Sequence, residues 1–258
     1  MKTTKGKVIS NKCIKGKYYH LVIKCSPLAE EIKEGQILHI RCGSNEDPFL
    51  RRPFSVYRFH KENGEIEVVY IVKGKGTEIM TGFKSGDEID LLGPTGNGYS
   101  LNESAKGIII IGRGVGIASV ISLAEKARKK YIKVIAVLSG KTKESILGEE
   151  FLNSIGCTVY SIQDEDGTSS MDNLKNILDK HINTDNINQM FTCGSNRVGK
   201  LLRDISLRYK IESYISLEEK MACGIGVCLA CVCKTKDGYK TVCNHGPVFS
   251  TEEVSFDE

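Results

Sequence analysis

Four cysteines crowd into the stretch MACGIGVCLACVCKT (221–235), namely Cys223, Cys228, Cys231 and Cys233, and a fifth, Cys243, follows nearby. Cys223-x4-Cys228-x2-Cys231 with a more distant Cys243 has the spacing of plant-type [2Fe–2S] sites. Gly224, Gly226 and Ala230 are small enough for the loop to wrap closely and aim its N–H groups at sulfur. Zinc is the competing occupant, but structural zinc usually takes two short Cys pairs, and only Cys228-x2-Cys231 is such a pair here. The stretch VCKTKDGYKTVC (232–243) predicts a hairpin about a two-residue Asp237-Gly238 turn of type I′. Pairing outward sets Lys236 against Tyr239 and Val232 against Cys243, which returns Cys243 beside Cys231 at a strand spacing of about 4.8 Å. Cys233 then falls opposite Val242 on the other ribbon face from Cys243. The expected metal ligands are therefore Cys223, Cys228, Cys231 and Cys243, with Cys233 a bystander.

Three further motifs carry groups suited to a nucleotide. In RRPFS (51–55) the proline fixes the backbone beside a strand, so that Arg52 is presented to a pyrophosphate and the Ser55 hydroxyl to a ring nitrogen. KGKGT (73–77) offers backbone N–H groups and the Thr77 hydroxyl as a phosphate nest; the plainer reading is a hairpin turn. GRGVGIAS (112–119) joins a strand to a helix, where Gly112, Gly114 and Gly116 permit a tight turn and free helix N–H groups face a phosphate. Arg113 is bulky for that turn. No acidic residue ends the next strand to receive a ribose hydroxyl; Lys141 and Lys143 follow it instead.

The elements that must position these groups fall into two patterns. Short β-branched and aromatic runs at 18–25, 36–42, 54–59 and 65–72, separated by turns such as EEIKEG, GSNEDP and KENG, predict a barrel or sandwich. LLGPTGNGYSL (91–101) reads as a domain boundary. From 107 the pattern changes to apolar strands alternating with helices: strands at 107–112, 132–140, 157–163 and 189–194, and helices after the glycine turn and at 143–156, 171–181 and 196–209. Such alternation predicts a parallel sheet covered on both faces. From about 211 the chain is short and cysteine-rich.

The composition narrows the function classes. The chain has 258 residues, of which 26% are charged and 40% hydrophobic, with a net charge of +4. That charge is small and spread out, the ARKK run (127–130) reads as a solvated helix end, and there is no Trp, so nucleic acid is not expected. Neither a secretory h-region nor an apolar run of membrane length is present, which predicts a cytoplasmic protein with no membrane partner. Ten cysteines in that setting are expected as thiols or metal ligands. The scattered five (Cys13, Cys25, Cys42, Cys157 and Cys193) are expected as small buried hydrophobes.

RRPFS, KGKGT, GPTGNGY, the glycine turn, Cys193-Gly194 and SLEEKMACGIGVCLACVCKT…CNHGPVF occur in an order that resembles the electron transfer subunits of heteromeric, NAD-linked dihydroorotate dehydrogenases. That family lies within the ferredoxin–NADP reductase superfamily, and the likeness spans essentially the whole chain. It implies an α+β multidomain fold: an N-terminal antiparallel β-barrel for FAD (1–100), an α/β parallel-sheet nucleotide-binding domain (101–210) and a small C-terminal [2Fe–2S] subdomain (211–258). Arg52, Pro53, Phe54 and Ser55 would line the flavin, and Val69, Tyr70, Ile71, Gly76 and Thr77 would meet its pyrophosphate. Cys223, Cys228, Cys231 and Cys243 would ligate the cluster. The resemblance further implies an FMN-containing catalytic partner in a heterotetramer. Electrons would pass from the partner's flavin through the cluster and FAD to NAD+, in pyrimidine biosynthesis. The chain departs from the family pattern at Ile71, Arg113, Ser119 and the SNRVGK run after Gly194. The alternative is the same FAD and [2Fe–2S] wiring serving a different dehydrogenase, without nicotinamide.

Overall fold

In the computed structural model, which describes residues 1–43 and 48–256, the first part of the chain is a seven-stranded antiparallel sheet. Its strands are β1 (Lys2–Lys15), β2 (Tyr18–Lys24), β3 (Ile37–Ile40), β4 (Arg52–Ser55), β5 (Arg58–His60), β6 (Glu65–Ile71) and β7 (Glu88–Thr95), with short helices α1 (Ser26–Ala29) and α2 (Lys75–Met80) in the connections. The order is β4-β3-β7-β1-β2-β6-β5. The two ends of that order are tied together through the link between β4 and β5. Val56 N–H donates to the Gln36 carbonyl (3.1 Å) and Tyr57 N–H to the Glu67 carbonyl (2.9 Å). The sheet thus curls into a barrel, which protects its edges. Leu21, Ile23, Leu38, Ile40, Val68 and Tyr70 fill its interior.

The run 54–59 divides between β4 and β5 rather than forming one strand. The first strand has no counterpart in the sequence reading, because KTTKGKVISNKCIK contains no apolar run; pairing with β2 on one side and β7 on the other holds it. β7 takes in residues 91–95, so the first half of LLGPTGNGYSL is barrel strand. Residues 44–47 of the GSNEDP turn lie outside the described residues. KGKGT is not a hairpin turn: it opens α2, with Gly74 before the helix and the Thr77 hydroxyl accepting from Lys73 N–H at 2.9 Å.

The second sheet is built from β8 (Gly107–Arg113), β9 (Lys133–Gly140), β10 (Thr158–Gln163), β11 (Ile187–Cys193) and β12 (Glu212–Ser216), all parallel. Helices α3 (Ala118–Lys129), α4 (Glu149–Ser154), α5 (Met171–Thr184) and α6 (Asn196–Tyr209) connect them. Ile108 and Ile110 pack toward α3, while Ile109 and Ile111 pack toward α5 and α6, so both faces are covered and the strand reads as a continuous apolar run. The helix expected over 143–156 is broken into a 3₁₀ turn (Lys143–Ser145) and α4. The break is Gly148, whose φ of +82° suits glycine alone.

The C-terminal segment adds a hairpin, β13 (Val232–Thr235) with β14 (Gly238–Thr241), and a final strand β15 (Val248–Ser250). The second sheet continues past residue 211: β12 lies beside β11, and β15 pairs antiparallel with β12. The cysteine-rich stretch is therefore a loop and hairpin spliced between two adjacent strands of that sheet. Among the described residues no helix is long and apolar enough to cross a membrane.

Candidate redox site

β4 is the edge strand at which a proline is tolerated, since Pro53 leaves no ladder donor unpaired there. Arg52, Pro53, Phe54 and Ser55 line a cleft of about 300 Å³. Across it stand Val69, Tyr70 and Ile71 of β6, and Thr77 of α2 closes one end. Gly76 lies just behind: a Cβ there would sit 3.3 Å from Arg52 Nε and 3.2 Å from Cys42 Sγ, so its lack of a side chain lets the arginine lie across the start of α2. Gly116 closes the cleft from the second sheet. The fourth wall, Ser216 to Glu219 with Met221, carries no expected site residue, although SLEEKM stands directly before Cys223. Nothing in that run's composition marks it; its role comes from β12 ending at the cleft.

The parallel sheet runs β10-β9-β8-β11-β12, so the chain reverses its direction of travel between β8 and β11. Strand ends at such a switch point open a crevice for a ligand. Here Arg113 at the end of β8 and Gly114 after it, Cys193 and Gly194 at β11, and Lys73 and Lys141 line a groove continuous with the first cleft through Val115 and Gly116. Burial, reinforced by Glu218, pushes the Cys193 thiol up to about 12. Gly112 does not reach the groove. A Cβ there would meet Ile117 Cα at 2.7 Å, making it a packing position. Gly112→Ala is expected to cost about 1–3 kcal/mol through overpacking; thermal unfolding followed by circular dichroism would show the lower Tm, and an unchanged Tm would refute the contact.

Arg113 turns away from the glycine loop. Its guanidinium grips Asp164, just past β10, with NH1–Oδ1 at 3.1 Å and NH2–Oδ2 at 2.5 Å. Arg113 first, and the Ser169 hydroxyl second, hold Asp164 at about 2. The acidic residue missing after β9 is thus found one strand further out, joined to the arginine that sequence reading left unexplained.

The cysteine loop closes as the spacing predicts, through a different turn. Thr235 pairs with Gly238, Lys234 with Tyr239, Cys233 with Lys240 and Val232 with Thr241, so the loop residues are Lys236-Asp237 and the register differs by two from the expected one. A type I′ turn needs positive φ at both central residues. Only Gly238, at +104°, has it, and Asp237 does not. A shift of two preserves side-chain parity, and Cys243 still reaches Cys231: Val242 N–H donates to the Cys231 carbonyl (2.8 Å) and Cys243 N–H to Cys231 Sγ (3.4 Å). Cys233 is buried among Val254, Phe256 and Val242.

Backbone N–H groups face the sulfurs. Ile225 and Cys228 each donate to Cys223 Sγ at 3.4 Å, and Gly226 donates to Cys243 Sγ at 3.2 Å. Positive φ at Gly224 (+70°) and Gly226 (+81°) wraps the loop. Burial opposes the Cys223 thiolate, but these N–H groups outweigh it and lower its pKa. Cys228 N–H thus meets Cys223 Sγ as Cys243 N–H meets Cys231 Sγ. Among the described residues no group of three or more His, Cys, Asp or Glu side chains is arranged for a metal ion; the thiols stand as two pairs, a donor set that suits a two-iron group. All ten cysteines are free; Cys25, Cys42, Cys157 and Cys193 are buried as expected, but Cys13 is exposed, because it lies near the end of β1 beside the Gly16 turn, its thiol reaching the Gly16 carbonyl.

The architecture, an antiparallel barrel beside a parallel nucleotide-type sheet, is that of the ferredoxin–NADP reductase class, here with an iron–sulfur domain appended. A solved chain of the NADH-dependent reduced ferredoxin–NADP oxidoreductase superimposes with a TM-score of 0.84 at 24% identity, covering 98% of this chain and 90% of that one. Residues 218–255 match the iron–sulfur cluster binding domain of dihydroorotate dehydrogenase B. The electron transfer subunit of dihydroorotate dehydrogenase B (NAD(+)) from Caldanaerobacter subterraneus subsp. tengcongensis is 37% identical over 258 residues, 98% of each chain. That from Bacillus pumilus is 35% identical over 254 residues, 96% of each. This chain belongs to the family of dihydroorotate dehydrogenase B electron transfer subunits.

Proposed function

We propose that the chain carries electrons between a partner dehydrogenase and NAD+, using FAD in the cleft and a [2Fe–2S] cluster on Cys223, Cys228, Cys231 and Cys243. The observation that supports this most directly is the shared wall: the segment from Ser216 to Met221 lines the cleft and then runs straight into the cysteine loop. Functional parts divide as 1–100 for FAD, 101–210 for the nicotinamide nucleotide and 211–258 for the cluster, the last of these lending β12 and β15 to the second sheet. Bound FAD supplies the exchange between single electrons on the cluster side and a hydride on the NAD+ side.

Each residue set then has a defined task. Arg52, over Gly76, holds the flavin pyrophosphate beside Thr77, while Pro53, Phe54, Ser55, Val69, Tyr70 and Ile71 exclude water from the ring. Gly114 and Gly116 let a dinucleotide approach the switch-point groove, where Lys73 and Lys141 favour its phosphates. The partner is a cytoplasmic, FMN-containing subunit that oxidises dihydroorotate for pyrimidine biosynthesis, two copies of each making a heterotetramer.

The test is anaerobic addition of NADH to the purified yellow-brown protein. Rapid bleaching of the flavin is expected. A flavin that dithionite reduces normally but NADH leaves oxidised would overturn the nicotinamide part and favour a different acceptor. Identification of the co-purifying chain by mass spectrometry tests the partner.

A further inference from the structure

β3 has two faces. Leu38 and Ile40 point into the barrel core, whereas Ile37 and His39 point outward. On that outward face Ile37 is paired directly with Ser55, and His39 directly with Pro53. Directly opposed residues of an antiparallel pair project to one side, and Ile37, Pro53 and Ser55 all line the cleft. The His39 imidazole therefore stands at the cleft's end, one ladder step beyond Ile37.

Its other neighbour is the cysteine loop. A Cβ on Gly224 would lie 2.5 Å from His39 Cε1 and 2.7 Å from Nε2, so the ring rests against bare backbone one residue from Cys223. The ring is 1% exposed. His39 Nε2 lies 3.1 Å from Thr95 Oγ1, and that hydroxyl also reaches the Ile37 carbonyl (3.4 Å), tying the ring to its own strand. Burial, with Arg51 adding to it, lowers His39 to about 4 and leaves the ring neutral at ordinary pH. A neutral side chain, held at Thr95 and resting on the Gly224 backbone, links the outward face of β3 to the cysteine loop. It lies inside QILHIRC, outside every motif suited to a flavin, a nucleotide or a cluster.

We propose that His39 is the positioning residue for electron transfer between the cluster and the flavin, holding the Cys223 side of the loop against the flavin cleft and keeping water out of the gap. The proposal rests on the FAD and [2Fe–2S] reading above. One electron leaves one centre and one arrives at the other; His39 itself is neither oxidised nor reduced and gives up no proton. Gly224 follows from it: the loop has glycine there because a side chain would push the loop off the imidazole.

The experiment uses the full chain loaded with both groups, mixed anaerobically with NADH in a stopped-flow instrument. Flavin bleaching and cluster reduction are followed in the same mixing, and the cluster's midpoint potential is measured by EPR titration. In His39→Ala, the rate of cluster reduction relative to flavin bleaching is expected to fall about tenfold, the lower end of what outer-sphere partners contribute at metal sites. The midpoint potential is expected to rise, because water admitted to the Cys223 side stabilises the more negative reduced cluster. Thr95→Val, which frees the ring but keeps its bulk, is expected to move both readouts in the same direction by less, and serves if His39→Ala does not fold. Unchanged relative rate and potential in the variants would overturn the proposal while leaving the wild-type wiring intact. A wild type that binds no cluster, or whose flavin NADH never reduces, would overturn the underlying reading as well.

Discussion

Cys243→Ser is expected to abolish the [2Fe–2S] absorption and EPR signal, whereas Cys233→Ser leaves both intact. The two residues are ten positions apart on one hairpin, and both are buried. Cys243 differs in its surroundings: its sulfur accepts the Gly226 N–H of the loop and its own N–H reaches Cys231 Sγ, so it lies against the cysteine loop. Cys233 faces the apolar packing of Val254 and Phe256. A serine at 243 would put a shorter, harder oxygen in place of the proposed fourth thiolate, and a structural metal site loses affinity when one ligand is lost. Visible absorption, EPR and iron content of both variants check this. A cluster lost in Cys233→Ser would overturn the assignment, as would a full cluster in Cys243→Ser.

Glu67→Ala is expected to lower stability by about 3 kcal/mol, the amount its depressed pKa represents, because the carboxylate shared by His20, His60 and Arg58 is lost. Glu67 on β6 accepts from His20 (2.7 Å), His60 (2.8 Å) and Arg58 (3.3 Å). Arg58 in turn reaches Glu125 of α3 at 3.0 Å and lies 4.4 Å over the Phe151 ring of α4, so this carboxylate aims the arginine that fastens barrel to second sheet. Burial alone would raise the Glu67 pKa. The two histidines and Arg58 outweigh it and bring it from 4.5 to about 2. A pKa depressed in the folded state contributes stability that is present above 4.5 and is lost as pH falls toward 2, a difference of about 3 kcal/mol. Urea unfolding of wild type and Glu67→Gln at pH 7 and pH 3 should show the gap between them closing at the lower pH. Parallel stability curves would exclude Glu67 as its source.

Much of the site was readable because its chemistry is local. Cysteine spacing, the RRPFS strand and the glycine turn each declare themselves within ten residues, since loop curvature and a βα turn depend on immediate neighbours. The hairpin register differs by two residues from the expected one for an equally local reason: Asp237 does not adopt positive φ, and the glycine sits after the turn rather than inside it. What escaped was what separate segments contribute to one place. β1 is polar along most of its length and exists because two strands flank it. Arg113 stood out as a misfit in its loop until the sheet set Asp164 two strands away.

The sequence by itself determined the inventory: two domain types, four thiols able to hold a two-iron cluster, and the motifs suited to a flavin and a dinucleotide. Tertiary structure alone decided their arrangement. The second sheet sets β12 between β11 and β15, and β12 delivers Ser216 to Met221 across the cleft. The same constraint draws the cysteine loop onto His39, by close packing between segments far apart in the chain rather than by any spacing along it.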